Sequence, residues 1–225
     1  MNKLNLILLI IYSSILLSSC YAQIQGKIQT IDTVMKTDIS GGYLMQIDFD
    51  ALHIKGDKSM MFFDKKGLII GLNDEPYMLV AGTDFELNNL PDKIAKKLSH
   101  TKIVILRPPI LLGDEQPEQY YLIPIWLREL NAVESLRMNH IEIDDLRFLQ
   151  NTPIKHLIIH DANVKDKKKL AGDISKLKHL QYLAYDFIFS TQEITKIQLS
   201  LPNAVILSVS EFNKDFDSGK IVFPQ

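Results

Sequence analysis

Four short segments in the second half of the chain repeat one pattern of apolar residues, and this repeat most constrains the fold. Each segment has apolar residues at its first, fourth and sixth positions, and the fourth-position leucines recur at intervals of 21, 26 and 24 residues. A pattern that returns about every 20 to 30 residues is typical of solenoids, in which each repeat buries its apolar face against its neighbours. The segments are 133–138, 154–159, 180–185 and 204–209, with Leu136, Leu157, Leu183 and Leu207 at the fourth position.

Helix-like segments separate these repeats. A fainter copy of the pattern occupies residues 101–106, and a Pro-rich, acidic stretch over residues 108–121 predicts an inserted loop before the first clear repeat. Strands that alternate with helices at this interval favour an α/β fold, with parallel strands on one side and helices on the other. Apolar residues at helical spacing predict the helices over residues 123–130, 144–150, 166–177 and 191–201.

The repeats are similar to those of the leucine-rich repeat family, whose units follow the pattern L-x-x-L-x-L-x-x-N/C-x-L. The unit that begins at residue 133 continues with Ile141 and Ile143 at positions nine and eleven, and the next unit continues with Ala162 and Val164. The chain departs from the family at position nine, where no unit has the Asn or Cys that satisfies the turn backbone. The resemblance covers residues 101–210 and implies a short solenoid. The alternative is an ordinary α/β domain whose buried strands share this spacing.

The resemblance also implies a binding surface on the concave face of the sheet. Equivalent side chains of successive strands form columns there, about 5 Å apart, and we expect them to bind a protein or another macromolecule. Tyr and Arg are enriched at the energetic centres of interfaces, whereas a His beside a carboxylate can also act as a base or a metal ligand. The predicted binding residues are Arg107, Arg137, Asn139, His156, His160, Tyr182 and Asp186.

The amino terminus carries the features of an export signal. Lys3 precedes an apolar run over residues 4–17, and a Leu-Ser-Ser-Cys sequence ends at Cys20. This sequence resembles a bacterial lipobox, in which a peptidase cleaves before the Cys and the thiol carries a diacylglycerol. We therefore expect residues 1–19 to be a signal peptide and Cys20 to anchor the protein to a cell-envelope membrane, facing the periplasm or the cell surface. The alternative is cleavage after Ala22, which would release a soluble secreted or periplasmic protein.

The regions on either side of the repeats are expected to cap the solenoid. Residues 20–100 are predicted to be β-rich and to end in a helix, and residues 211–225 close the chain. A solenoid needs such ends because the apolar core of each terminal repeat would otherwise face water. In the first region, alternating or continuous apolar runs predict strands over residues 42–50, 60–63, 68–72 and 77–80, followed by a helix over residues 90–98.

Several kinds of site are absent from the sequence. Cys20 is the only Cys, so the chain can form no internal disulfide and no Cys-based metal site. The net charge of −2 and the lack of a basic stripe with interleaved aromatic residues argue against a nucleic-acid partner, and the lysines over residues 165–178 fit a solvated helix face. No nucleophile motif, phosphate loop or zinc-type His spacing occurs, so we predict no catalytic residue, metal ligand or cofactor.

These features together favour an exported, lipid-anchored binding protein of the leucine-rich repeat type over an enzyme. Two alternatives stay open. In the first, the protein is a structural or assembly component of the envelope that makes its contacts through residues 23–100. In the second, it is a hydrolase that uses the neighbourhood of His160 and Asp186.

Overall fold

The structure is a computed structural model, and it describes residues 29–30, 58–63, 67–73, 75–82, 85–107, 119–186 and 188–221. The predicted signal segment, Cys20, the strand predicted over residues 42–50 and most of the predicted inserted loop lie outside these residues. The described strands belong to one ten-stranded sheet. They are β1 Gln29–Thr30, β2 Lys58–Phe63, β3 Gly67–Leu72, β4 Glu75–Gly82, β5 Ile103–Arg107, β6 Tyr121–Leu122, β7 Ser135–Ile143, β8 His156–Val164, β9 Tyr182–Tyr185 and β10 Val205–Ser208.

Short helices connect the strands. Within the described ranges the α-helices are α1 Asp92–Ala95, α2 Lys167–Ile174, α3 Thr191–Ser200 and α4 Val209–Asp217. Short segments of 3₁₀ helix occupy Leu87–Asn89, Leu98–His100, Ile125–Glu129 and Arg147–Asn151. The longest described helix has ten residues, and none of the described helices combines the length and the apolar character needed to cross a bilayer.

The sheet is antiparallel at its first end and parallel over the rest. Strands β1 to β4 pair in chain order as antiparallel neighbours. From β4 onward, the order β4-β5-β7-β8-β9-β10 is parallel throughout, and β6 pairs with the distal part of β7. The predicted α/β class, with parallel strands joined by helices, is thereby confirmed. The strands predicted over residues 60–63, 68–72 and 77–80 coincide with β2, β3 and β4.

The apolar positions of the repeat build the main core. The strand register places Leu79, Val104, Leu136, Leu157 and Leu183 in one row across five neighbouring strands. All five side chains are fully buried, and residues of α2, α3 and the 3₁₀ turns pack against the same face of the sheet. Burying one such leucine contributes roughly 2 kcal/mol, so this row and its helical cover hold the parallel half together.

The last strand is one residue out of step with the repeat pattern. The sequence predicted that Leu207 would align with Leu183, but Ile206 occupies that place. Ile206 packs against the main core, while Leu207 faces the opposite side of the sheet. The predicted sixth-position residue, Val209, is the first residue of α4, because Ser208 caps that helix and begins it immediately after the strand. Since side chains alternate between the faces, this shift of one residue exchanges them.

The last helix covers the second face of the sheet over β8, β9 and β10. Val209 and Phe212 of α4, together with Ile221, pack against Ile158 of β8 and Ala184 of β9. The sequence predicts that residues 211–225 seal the end of the last repeat, whereas the described part of this segment lies on the sheet face. The apolar residues of α4 recur at helical spacing, so the helix has one apolar side that must be buried.

The predicted helices are present in the right places but differ in kind. Those expected over residues 123–130 and 144–150 are short segments of 3₁₀ helix, five residues each. Segments this short gain little from α-helical hydrogen bonding, because forming the first turn is the costly step. The two later helices are true α-helices with defined starts: the Asp166 side chain accepts the Lys169 N–H, and Ser190 forms a capping box with Glu193.

Candidate functional site

Strands β7 and β8 both bend at the same position of the repeat. Asn139 pairs with His160, and Ile141 pairs with Ala162. Between these pairs, His140 and Asp161 both adopt left-handed backbone conformations, with φ of 57° and 47°. Asp and His enter this region more readily than most residues with a Cβ atom. The two bends place neighbouring polar side chains at the end of the first, straight part of each strand.

A His–Asp pair with a tyrosine on it forms the centre of this region. His140 Nδ1 lies 2.6 Å from Asp161 Oδ2, and the Tyr120 hydroxyl donates to Asp161 Oδ1 over 3.0 Å. The ring of Tyr120 stacks on the imidazole of His140, with the centroids 4.4 Å apart. Tyr120 arrives here because the next residue, Tyr121, pairs with Ile141 in the sheet. His140 is mostly buried, whereas Tyr120 remains exposed.

The contacts of Asp161 favour its charged form. Hydrogen bonding to His140 lowers the pKa of the Asp161 carboxyl below its usual range, the Tyr120 hydroxyl lowers it further, and partial burial opposes both. The same carboxylate raises the pKa of the Tyr120 hydroxyl above its usual value, because it accepts that proton in a hydrogen bond. Asp161 is therefore an anion held in place by two donors.

A second His–Asp pair lies one strand further along the sheet. His160 Nδ1 is 3.0 Å from Asn139 Oδ1, and His160 Nε2 is 3.2 Å from Asp186 Oδ2. Both ring nitrogens are thus engaged with side chains of the neighbouring strands or their ends. The side chain of His160 is 42% exposed and that of Asp186 is 29% exposed, so this pair faces solvent.

We define the strand-end cluster by the residues that these contacts join where the first halves of β7 and β8 end, at the two bends, and where β9 ends. The cluster offers carboxylate and amide acceptors, imidazole groups and one exposed phenol ring, which suits recognition through hydrogen bonds and stacking. Its members are Tyr120, Asn139, His140, His160, Asp161 and Asp186.

The structure places five of the seven predicted binding residues in two groups. Asn139, His160 and Asp186 belong to the strand-end cluster. His156 and Tyr182 lie beneath α4, where both rings contact Phe212. His156 is only 3% exposed, so the expectation that the sheet face is open along this column is corrected: the last helix covers it.

The two predicted arginines differ from this pattern. Arg137 is half-buried at the margin of α4 and donates from Nη1 to Asn213 Oδ1 of that helix over 3.2 Å. Burial lowers the pKa of the Arg137 guanidinium, and the carboxylate of Asp186 partly opposes this effect. Arg107 ends β5 and pairs with Gly82; its side chain is not among those that the structure describes.

Sequence reasoning did not select Tyr120, His140 and Asp161 as binding residues. His140 and Asp161 share one position of the repeat, and that shared position was the available signal. Tyr120 had no such signal, because it belongs to the segment predicted to be an inserted loop and meets His140 only through the pairing of β6 with β7.

The cluster has no arrangement typical of a metal centre. In the part of the chain that the structure describes, no group of three or more His, Cys, Asp or Glu side chains is placed to hold a metal ion. No protein family model, curated protein or solved structure matches this chain. The chemistry of the cluster therefore rests on its own geometry.

Proposed function

We propose that this is an exported, lipid-anchored protein of the leucine-rich repeat type that binds a protein partner through the strand-end cluster. The observation that carries the proposal is the convergence of two His–Asp pairs and an exposed tyrosine where two parallel strands bend and a third one ends. Because α4 covers the adjoining sheet face, the cluster replaces that face as the proposed contact surface.

The assignment to the leucine-rich repeat type has two supports. The fourth-position residues align across the parallel strands up to β9. In addition, two successive strands turn at position eight through a left-handed residue, at His140 and Asp161. A left-handed turn residue gives the chain a way to change direction without the Asn or Cys that the family has at position nine.

The hydrogen bonding of His160 favours binding over hydrolysis. A general base that activates a nucleophile needs one ring nitrogen directed at it and the other held by an orienting group. In His160 one nitrogen faces Asn139 and the other faces Asp186, and neither of these partners is a hydroxyl or thiol nucleophile. The pair is therefore better suited to presenting a fixed polar surface.

The experiment is a crosslinking pull-down from intact envelopes, which compares the wild type with the triple variant Tyr120→Ala, His160→Ala, Asp186→Ala. We expect partner recovery to fall roughly tenfold or more, since losing hot-spot side chains typically costs about 2 kcal/mol or more. The matched control replaces with alanine the exposed polar residues His179, Gln181 and Asn203, which precede β9 and β10 and therefore lie at the amino ends of these strands. This control should keep the partner.

Equal recovery of the partner by the wild type and the folded triple variant would contradict the proposed contact surface. It would favour contacts through residues 23–100 instead. Equal loss in both triple variants would show a general loss of structure, which the melting temperatures would reveal.

The proposed anchor has a separate test. Cys20→Ser should move the protein from the membrane fraction to the soluble fraction. In cells fed a radioactive fatty acid, the wild-type protein should become labelled and the Cys20→Ser variant should not. Fatty-acid labelling of the Cys20→Ser variant would contradict lipidation at this residue. An unlabelled wild-type protein would favour cleavage after Ala22.

A further inference from the structure

Five exposed lysines line the groove between α2 and α3. At one end, Lys167 and Lys168 lie close enough to Glu193 of α3 to lower the pKa of its carboxyl, adding to the hydrogen bonds from Ser190 that lower it most. Both lysines belong to the first turn of α2, and Glu193 belongs to the first turn of α3. Since α2 and α3 each follow a strand of the parallel sheet, they run in the same direction, and the groove extends between them.

The other three lysines continue this line. The ammonium of Lys196 on α3 lies over Gly172 of α2, so near that a side-chain carbon on Gly172 would come within 3.5 Å of its Nζ. Lys176 and Lys178 line a cavity of about 330 Å³ at the far end of the groove, opposite Ser200 and its neighbours that follow α3. We define the lysine groove by Lys167, Lys168, Lys176, Lys178 and Lys196.

The charges of the lysine groove are only partly compensated, by the Glu193 carboxylate close to Lys167 and Lys168. Nearby Lys165 and Lys169 pair with Glu142 and Asp145, but none of the five groove lysines forms an ion pair with a carboxylate in the described ranges. The Glu193 carboxylate accepts hydrogen bonds from Ser190 as part of the capping box. A net charge of −2 for the whole chain thus conceals a concentrated positive surface on the outer side of the helix layer.

We propose that the lysine groove docks on the anionic headgroups of a lipid bilayer. Several cations along one line match the negative potential of such a surface, and each lysine near it contributes roughly fivefold to binding. The proposed lipid at Cys20 would bring this face to a membrane, where the groove would fix the orientation of the protein. The helix layer would then face the lipid, and the strand-end cluster at the bends of β7 and β8 would stay accessible.

The test uses the chain from residue 21, which lacks both the apolar run of residues 4–17 and Cys20. It retains every described element, since these begin at residue 29. Sedimentation with phosphatidylglycerol vesicles should carry the protein down, with binding that weakens as NaCl rises. Vesicles of phosphatidylcholine should leave it in solution. Because neither acyl chains nor a protein partner is present, the result does not depend on the proposed function.

The decisive comparison uses two triple variants of equal charge. Lys168→Gln, Lys176→Gln, Lys196→Gln should weaken vesicle binding on the order of a hundredfold. The control Lys93→Gln, Lys96→Gln, Lys214→Gln removes three exposed lysines that lie on α1 and α4 or next to them, and it should bind like the parent. Equal weakening by both variants, or equal binding to both lipids, would overturn the proposal. Tighter binding to heparin than to the anionic vesicles would overturn the lipid assignment.

Discussion

The ring of His156 on β8 lies edge-on against that of Phe212 on α4, with the centroids 6.3 Å apart and the planes at 65°. Tyr182 on β9 contacts both rings, at 5.4 Å from His156 and 6.3 Å from Phe212. The three rings join two strands to the last helix, so this contact decides whether the sheet face is covered or open. Burial there and, to a smaller extent, the charge of Lys155 lower the pKa of His156 to about 4, against the opposing charge of Glu134.

Phe212→Ala should loosen α4 and restore a more ordinary titration of His156. Removing a buried phenylalanine ring costs about 3–5 kcal/mol, and water would then reach the imidazole. We expect the pKa of His156 to rise toward 6.5 in an NMR titration and the free energy of unfolding to fall. Leu199→Ala, at an exposed position on α3, should change neither quantity. An unchanged His156 titration in a destabilised Phe212→Ala protein would contradict the burial of His156 under α4.

The low pKa of His156 predicts that acid destabilises the fold. The unfolded chain binds a proton at His156 with a pKa of about 6.5, whereas the folded chain does so only near pH 4. Between these values the unfolded state holds more protons, so the stabilisation is complete above pH 6.5 and is lost as pH falls toward 4. Urea unfolding at pH 5 should give a free energy about 2 kcal/mol below that at pH 7.

His156→Phe should remove most of this pH dependence, since it keeps an aromatic ring in the same contact. His179→Ala, which replaces an exposed histidine, should leave the dependence intact. If His156→Phe kept the wild-type slope between pH 7 and pH 5, the slope would belong to another group.

The left-handed conformation of Asp161 predicts that glycine destabilises the protein less than alanine at this position, the reverse of the usual order within a strand. Both Asp161→Gly and Asp161→Ala remove the carboxylate, but only glycine has no Cβ to strain at a φ of 47°. Glycine should therefore be the more stable variant by about 1 kcal/mol in urea unfolding. At Asn163, two residues further along the same strand, alanine should be the more stable of the corresponding pair. The same order at both positions would contradict the left-handed bend.

The hydrogen bonds to Asp161 predict that its pKa rises by different amounts when each donor is removed. His140 is the larger cause of the low pKa of Asp161 and Tyr120 is the smaller one. His140→Gln should therefore raise the pKa of Asp161 more than Tyr120→Phe does, as measured by ¹³C NMR of the side-chain carboxyl. A group whose pKa is lowered by folding stabilises the protein above its unfolded pKa, so both variants should also lose less stability in acid than the wild type. A larger effect of Tyr120→Phe would reverse the assigned order.

The sequence predicted the parallel core well because that core obeys a local rule. Leu136, Leu157 and Leu183 are apolar at equivalent places and point the same way, so spacing alone aligned them. It could not predict that α4 lies on the sheet face, since its apolar side fits either a sheet face or the end of a solenoid. The sequence also could not predict the contacts within the strand-end cluster, because residues such as Tyr120 and Asp161 are 41 positions apart.

The repeat pattern and the structure give registers of β10 against β9 that differ by one residue. An engineered disulfide distinguishes the two registers. Tyr182 pairs with Val205 in the structure, and directly paired strand residues lie about 4.8 Å apart, within the range that a disulfide spans. In a Cys20→Ser background, Tyr182→Cys with Val205→Cys should oxidise readily to an intrachain disulfide. Tyr182→Cys with Ile206→Cys should stay reduced, because their side chains point to opposite faces. Thiol labelling before and after oxidation measures both, and a disulfide in the second pair alone would restore the register that the repeat predicted.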